Sequence, residues 1–155
     1  MATVQLPTIV VPWLTPLRDW LRVQPAVVAL VGTRTYLGAL PLNSTLPALV
    51  VWRAGGGHDG ATMDSAMLQL EAWAASGAQA EALMTTAVAV LGSAPGLLDL
   101  TPTARLGGAR LNAMMWAPDP DTDTARYVAT LDVDVLASSA GAGGYAGAYA
   151  GGYAA

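Results

Sequence analysis

The chain has 155 residues, of which 54% are hydrophobic and only 12% are charged, about half the usual charged share of roughly 25%. The net charge of −4 argues against a nucleic-acid binder, which needs a basic surface. The absence of cysteine excludes disulfides, zinc–thiolate sites and thiol catalysis. So apolar a chain is not disordered, and we expect other protein chains to cover part of its surface.

Neither a membrane span nor a secretory leader is predicted. The charge-free stretches 35–52 and 82–98 are broken by proline or glycine, whereas a spanning helix needs about 20 continuous apolar residues. Three prolines precede the first cation, Arg18, which is unlike a signal peptide. We therefore expect a product of the cytoplasm that works in an oligomer or a larger assembly.

The first elements in chain order are helical. Thr15 and Pro16 predict a helix start, with a hydroxyl cap followed by proline at the first helical position. Pro25 interrupts the pattern because it lacks a backbone N–H, and Gly32 suits the left-handed position after a helix. The sequence therefore predicts one kinked helical unit, and strands are then expected at 34–40 and 46–53.

A run of six residues, Gly55-Gly56-Gly57-His58-Asp59-Gly60, predicts a loop. Its Gly-x-Gly-x-x-Gly spacing matches a dinucleotide-binding pattern, but such a site needs a helix that opens at the third glycine and a longer α/β chain. We therefore expect the loop to project toward protein partners. On this interpretation, shortening the glycine run leaves the isolated fold intact.

Residues 66–74 are ambiguous, because their composition favours a helix while their alternation favours a strand. The helix that follows is the clearest element of the chain. Ser76 and Gln79 form a capping box, and apolar residues recur at helical spacing over 77–91. Leu83, Ala87 and Leu91 should cover one face of a sheet.

The next segments, 108–117 and 125–136, alternate as two strands of a long hairpin. Their connection carries an acidic tip of three carboxylates, Asp119, Asp121 and Asp123. The glycine and glutamate that complete a calcium loop are missing from the required positions. We predict a solvated tip that faces partners.

No catalytic, cofactor-binding or metal-binding residue is predicted. His58 is the single histidine, and the chain has neither lysine nor a nucleophile-elbow motif. The elements together predict an α+β fold over residues 1–136, with a mainly antiparallel sheet and helices packed on one face.

The last residues, 137–155, contain only glycine, alanine, serine and tyrosine. Tyr145, Tyr149 and Tyr153 recur every four residues and are large amphipathic anchors. Glycine disfavours a helix here. We expect an extended tail that lies on a neighbouring subunit, with solvated disorder as the alternative.

Several segments together resemble the tail terminator, or tail completion, proteins of long-tailed bacteriophages. The resemblance extends over about residues 15–136 and makes 66–74 a strand. It does not include the C-terminal tail, and Pro25 departs from the family pattern. Its segments are Gly32-Thr-Arg-Thr-Tyr36, Leu40-Pro-Leu-Asn-Ser-Thr-Leu-Pro-Ala-Leu-Val-Val-Trp-Arg53, Leu68-Gln-Leu-Glu-Ala-Trp-Ala74, Ser76, Ala80-Glu-Ala-Leu83 and Thr124-Ala-Arg-Tyr-Val-Ala-Thr-Leu-Asp-Val133.

The resemblance implies a structural virion protein without enzymatic activity. Such a protein forms a ring, typically a hexamer, at the neck end of the tail tube, where it stops the addition of tube protein and joins the head–tail connector. Two alternatives stay open. One is another neck protein, an adaptor or a stopper, and the other is a small ligand-binding α+β domain that uses Gly55–Gly60.

Overall fold

The computed structural model describes residues 11–59 and 62–137. Its elements form three helices and one sheet, which confirms the predicted α+β class. Among the described residues, no helix has the length and apolar character needed to cross a membrane. In chain order the elements are α1 (Leu14–Arg22), α2 (Pro25–Val31), β1 (Thr35–Leu37), β2 (Ala48–Asp59), β3 (Met63–Ala74), α3 (Gly77–Gly92), β4 (Leu98–Thr101), β5 (Ala104–Trp116) and β6 (Ala125–Ala137).

The sheet has six strands in the order β1-β2-β3-β6-β5-β4. β1 and β2 are parallel, and every other neighbouring pair is antiparallel. Strand β4 was not predicted, because its four residues give no alternation long enough to detect. It pairs with the first residues of β5.

The core lies between one face of the sheet and the three helices. Alternate residues of β3 and β6 point to this face, as the two-residue period of a strand requires. The predicted helix is confirmed as α3, and its Leu83, Ala87 and Leu91 are buried as expected. The other fully buried large side chains include Leu17, Leu21, Leu49, Leu68, Leu70, Met84, Leu106 and Leu131.

The ends of the helices differ in part from the prediction. α1 begins at Leu14 after Trp13 and has no side-chain cap, so the Thr15 cap is wrong. Pro25 does interrupt the helical pattern, but it produces two helices and stands in the first turn of α2. Gly32 follows α2 with φ 58° and ψ −123°, a positive φ outside the left-handed helical region.

The first turn of α3 tests the predicted capping box. The Ser76 side chain accepts a hydrogen bond from the backbone N–H of Gln79 at 3.3 Å, which confirms the Ser76 half of the predicted box. At the other end, Gly92 is the last residue of the helix and Ser93 stands at the C-cap position.

Residues 66–74 form a strand, as the resemblance implied. β3 lies between β2 and β6 and pairs with both along its length. Pairing on both sides supplies hydrogen-bond partners for its backbone groups along most of the strand, which outweighs the helix preference of its Met, Leu, Gln, Glu and Ala residues.

The predicted loop at Gly55–Gly60 is wrong for the residues that the structure describes. Gly55 to Asp59 continue β2 and pair with Met67 to Met63 of β3. Gly60 lies outside the described residues. Glycine-rich composition favours a loop in isolation, but here a long antiparallel partner strand satisfies the backbone groups. Removing glycines would therefore change the β2–β3 register, contrary to the expectation that the fold tolerates it.

Candidate interaction surfaces

Among the three glycines of β2, only Gly56 stands where a larger residue would not fit. A bulge interrupts the β2–β3 register between Arg53 and Gly55, and Gly56 has φ +89°. A Cβ atom at Gly56 would lie 2.2 Å from the backbone oxygen of Ser65, whereas one at Gly57 would meet nothing within 4 Å. Gly56 is thus required for the close approach of the two strands.

A part-buried ion pair joins β2 to β3, and Trp13, the residue before α1, bonds to it. The Asp64 carboxylate accepts hydrogen bonds from Arg53 at 2.6 and 2.8 Å and from the Trp13 indole at 2.8 Å. The side chain of Asp64 is only 5% exposed, and that of Arg53 is 33% exposed. Burial alone would raise the pKa of Asp64, but the bonds from Arg53 and Trp13 and the Arg53 charge outweigh it and lower the pKa.

Replacing Asp64 by Asn should lower the stability at neutral pH by about 1.5–3 kcal/mol, since hydrogen bonds to a buried charge are lost. A lowered folded-state pKa means that the carboxylate stabilises the fold above its ordinary value of 3.8. This contribution disappears as the pH falls through the lower folded-state value.

The melting temperature at pH 7, 5 and 3 measures this effect. Between pH 5 and pH 3 the variant should lose less stability than the unmodified chain. Asp121→Asn, at an exposed residue, is the matched control and should behave like the unmodified chain. An Asp64→Asn variant with undiminished acid sensitivity would contradict the assignment.

The sheet face opposite the helices carries a second polar cluster around Glu71. Its carboxylate accepts hydrogen bonds from the indoles of Trp52 at 3.3 Å and Trp73 at 3.0 Å, and from the Gln69 amide at 3.2 Å. The Arg126 guanidinium lies 3.8 Å from Glu71 and 4.9 Å from the Trp73 ring centroid. The cluster stabilises this face, and both oxygens of its carboxylate accept hydrogen bonds from neighbouring side chains.

An open groove of about 550 Å³ lies beside this cluster. The segment 38–44 forms one wall, and the loop between β5 and β6 forms the other. Glu71 and Trp73 line the groove, and Asp119 contributes from the loop. The structure therefore brings one residue of the acidic tip to the groove, whereas the β2 glycines line no part of it.

The acidic tip is organised by its own hydrogen bonds. Asp119 accepts from the backbone N–H of Asp121 at 3.2 Å and from the Thr122 hydroxyl at 2.7 Å, and these bonds lower its pKa. Asp121 and Asp123 are exposed. Within residues 11–59 and 62–137, no group of three or more side chains is placed to hold a metal ion.

The neighbourhood of His58 offers no catalytic arrangement. His58 stands opposite Asp64 in the β2–β3 register, but that carboxylate already accepts bonds from Arg53 and Trp13. The Ser65 hydroxyl donates to Asp134 at 3.1 Å instead. Tyr145, Tyr149 and Tyr153 lie outside the described residues.

An apolar patch on β5 was missed from the sequence. Although β5 was predicted as a strand, its far half exposes apolar side chains on both faces. The sequence did carry a signal for this patch, because a strand with apolar residues on both faces and no lysine must expose some of them or bury them against a partner. The exposed fractions are 43% for Leu111, 38% for Met114, 53% for Met115 and 48% for Trp116.

The sequence matches a known protein family over most of its length. The family described as tail completion protein gp17 matches residues 15–141. The chain belongs to this family. The tail completion protein is thus a structural component of a phage tail, and the family is not enzymatic.

A solved structure shares the fold of this tail completion protein. It is titled "Virion of native gene transfer agent (GTA) particle" and matches with a TM-score of 0.57 and 22% identity, covering 76% of this chain and 90% of that chain. No curated protein matches the sequence.

The structure also bears on the dinucleotide-binding alternative. The helix that such a site requires after Gly60 is replaced by β3, which begins at Met63.

Proposed function

We propose that this tail completion protein assembles into a ring, a hexamer, on the head-proximal end of the tail tube. The ring stops the addition of tube protein and presents its other side to the head–tail connector at the neck of the virion. The family match over residues 15–141 carries the proposal. Three features support a role in assembly with protein partners: the small share of charged residues (12%), the net charge of −4 and the exposed apolar half of β5.

The surfaces singled out from the sequence have roles in this proposal. Gly55 to Asp59 contact a neighbouring chain as part of a strand. The acidic tip, Asp119 to Asp123, contacts the tube protein or the connector. Beyond the domain of residues 1–136, the tail of 137–155 lies on a neighbouring subunit and is held by its three tyrosines.

The test is to remove the gene from the phage that encodes it and to complement it from a plasmid. Without the protein, tails should vary in length and fail to join heads, as seen by electron microscopy. The intact chain should restore uniform, joined tails. A chain that lacks residues 138–155 should have the same melting temperature as the intact chain when isolated, and it should restore tails. Particles built with it should lose their heads at a lower temperature than particles built with the intact chain.

Each alternative predicts a different image. An adaptor or stopper would leave free tails of uniform length and heads that lose their DNA. Normal, infectious particles without the gene would contradict any role in tail completion. Truncated particles that survive heating like the intact ones would show that the C-terminal tail does not contribute to the neck.

A further inference from the structure

Two strands of the sheet are only half covered on their outer sides. β1 pairs with β2 only at Leu49, Val50 and Val51. β4 pairs with β5 only within Ala104 to Leu106. In the part of the chain that the structure describes, no strand pairs with the outer side of 52–58 in β2 or of 107–116 in β5. We name these segments the β2 open edge and the β5 open edge.

The two open edges lie at the same height on opposite sides of the sheet. The pairing registers run from Trp52 through Gln69 and Thr130 to Ala113. Likewise Gly57 is level with Gly108, through Ser65 and Asp134. The open parts of the edges therefore overlap along about two-thirds of the β5 segment, and neither needs to slide for a side-by-side contact.

The strand directions of the two edges are also complementary. β2, β3, β6 and β5 alternate in direction because each neighbouring pair is antiparallel. When a second copy stands beside the first in the same orientation, its β2 edge runs antiparallel to the β5 edge of the first. Antiparallel pairing is the more stable ladder. Each copy has one edge of each kind, so the contact repeats from head to tail, which is the kind of interface that builds a ring when the rotation between copies closes.

These edges lack two of the usual protections against pairing, although β-bulges interrupt β2 between Arg53 and Gly55 and β5 at Leu106/Gly108 and Leu111/Ala113. Neither segment contains lysine or proline, the residues that commonly block an edge strand. The β2 open edge is rich in glycine, and added Cβ atoms at Gly55, Gly57 and Gly108 would meet nothing within 4 Å. A second backbone can therefore approach closely at these positions. Arg110 is the one cation of the β5 open edge, and it is paired with Asp132 at 3.0 Å.

We propose that the β5 open edge of one copy pairs with the β2 open edge of the next, so that the sheets of adjacent copies join into one. The occupant of each edge is thus a second copy of this chain. The exposed Met115 and Trp116 then reach the height of Val50 and Leu49 of the neighbouring copy, where β1 already occupies the outer side of β2. They therefore lie against β1, next to the paired segment. This inference rests on the proposed ring and assigns the contact between its subunits.

The absence of cysteine makes the contact directly testable by engineered cross-links. A chain with both Gly57→Cys and Gly108→Cys places thiols at equal height on two glycine positions with open space. Gly55→Cys with Ala113→Cys samples a slipped register. On oxidation of assembled tails and of the concentrated protein, the chain with Gly57→Cys and Gly108→Cys should form a ladder of covalent oligomers in a denaturing gel, ending at the copy number of the ring. A ladder from the chain with Gly55→Cys and Ala113→Cys in its place would overturn the level alignment of the two edges.

Matched variants separate this contact from accidental coupling. Gly57→Cys with Ala89→Cys, an exposed residue of α3, should give no ladder. Met115→Lys in the cross-linking background should abolish the ladder, because it places a charge at the contact. Val23→Lys is the control, since Val23 is exposed by 69% on another surface, and it should keep the ladder. Both lysine variants should melt like the parent.

The outcomes distinguish the edge contact from the proposed ring. Several copies per particle without any cross-linked ladder would overturn the edge contact and leave the ring. One copy per particle would overturn the ring itself. Dimers from Gly108→Cys alone would indicate a two-fold contact and overturn the head-to-tail arrangement, as would cross-links to tube protein. Coupling of Gly57→Cys to a cysteine at Thr8 within one chain would place the N-terminal segment on this edge and also overturn it.

Discussion

Replacing Leu83 by Asp is expected to unfold the domain. Leu83 is 1% exposed and lies in the core between α3 and the sheet. A carboxylate there has no cation within the apolar core to pair with, and burying it costs several kcal/mol. That cost is comparable to the whole stability of a domain, about 5–15 kcal/mol. Circular dichroism and thermal unfolding should show the loss of the cooperative transition.

A matched control uses the same helix and the same new side chain. Ala82 is the neighbouring residue and is exposed, so Ala82→Asp should change the stability by less than about 1 kcal/mol. The pair separates burial from helix propensity, because both variants put Asp in the middle of α3. A folded Leu83→Asp chain with the parent's melting temperature would mean that this face of α3 is turned to solvent.

The second large effect is expected at Gly56. A Gly56→Ala substitution places a methyl group 2.2 Å from the backbone oxygen of Ser65 and 2.6 Å from the Cα of Ala66. The residue must also keep a φ near +89°, which L-residues rarely adopt. Backbone strain and steric overlap together should cost about 2–5 kcal/mol. Chemical denaturation monitored by tryptophan fluorescence measures the change.

Gly57→Ala is the control for this substitution. It removes the next glycine in the sequence, where an added Cβ meets nothing within 4 Å, and its stability should stay within about 1 kcal/mol of the parent. Equal stabilities of the two variants would contradict the assignment of Gly56 as the residue that permits the close approach of β2 and β3. The comparison therefore tests the structural role of a single glycine within a run of three.

The sequence by itself was sufficient for the elements whose signals are local. The Ser76 cap and the helical spacing of Leu83, Ala87 and Leu91 predicted α3, because both act within a few turns of the chain. Alternation predicted β5 and β6, and Pro25 predicted the break between α1 and α2. The acidic tip was predicted as a connection, but its approach to Glu71 and Trp73 across the groove was not.

Tertiary structure decided the elements whose local signals conflict with their environment. The glycines of β2 predict a loop by composition, yet β3 supplies hydrogen-bond partners for Gly55 to Asp59. β3 itself carries helix-favouring residues, and pairing with two strands makes it extended. Satisfaction of backbone groups is a property of the whole sheet, so no window of sequence contains it. The open edges follow for the same reason, because they depend on how far β1 and β4 extend beside their neighbours.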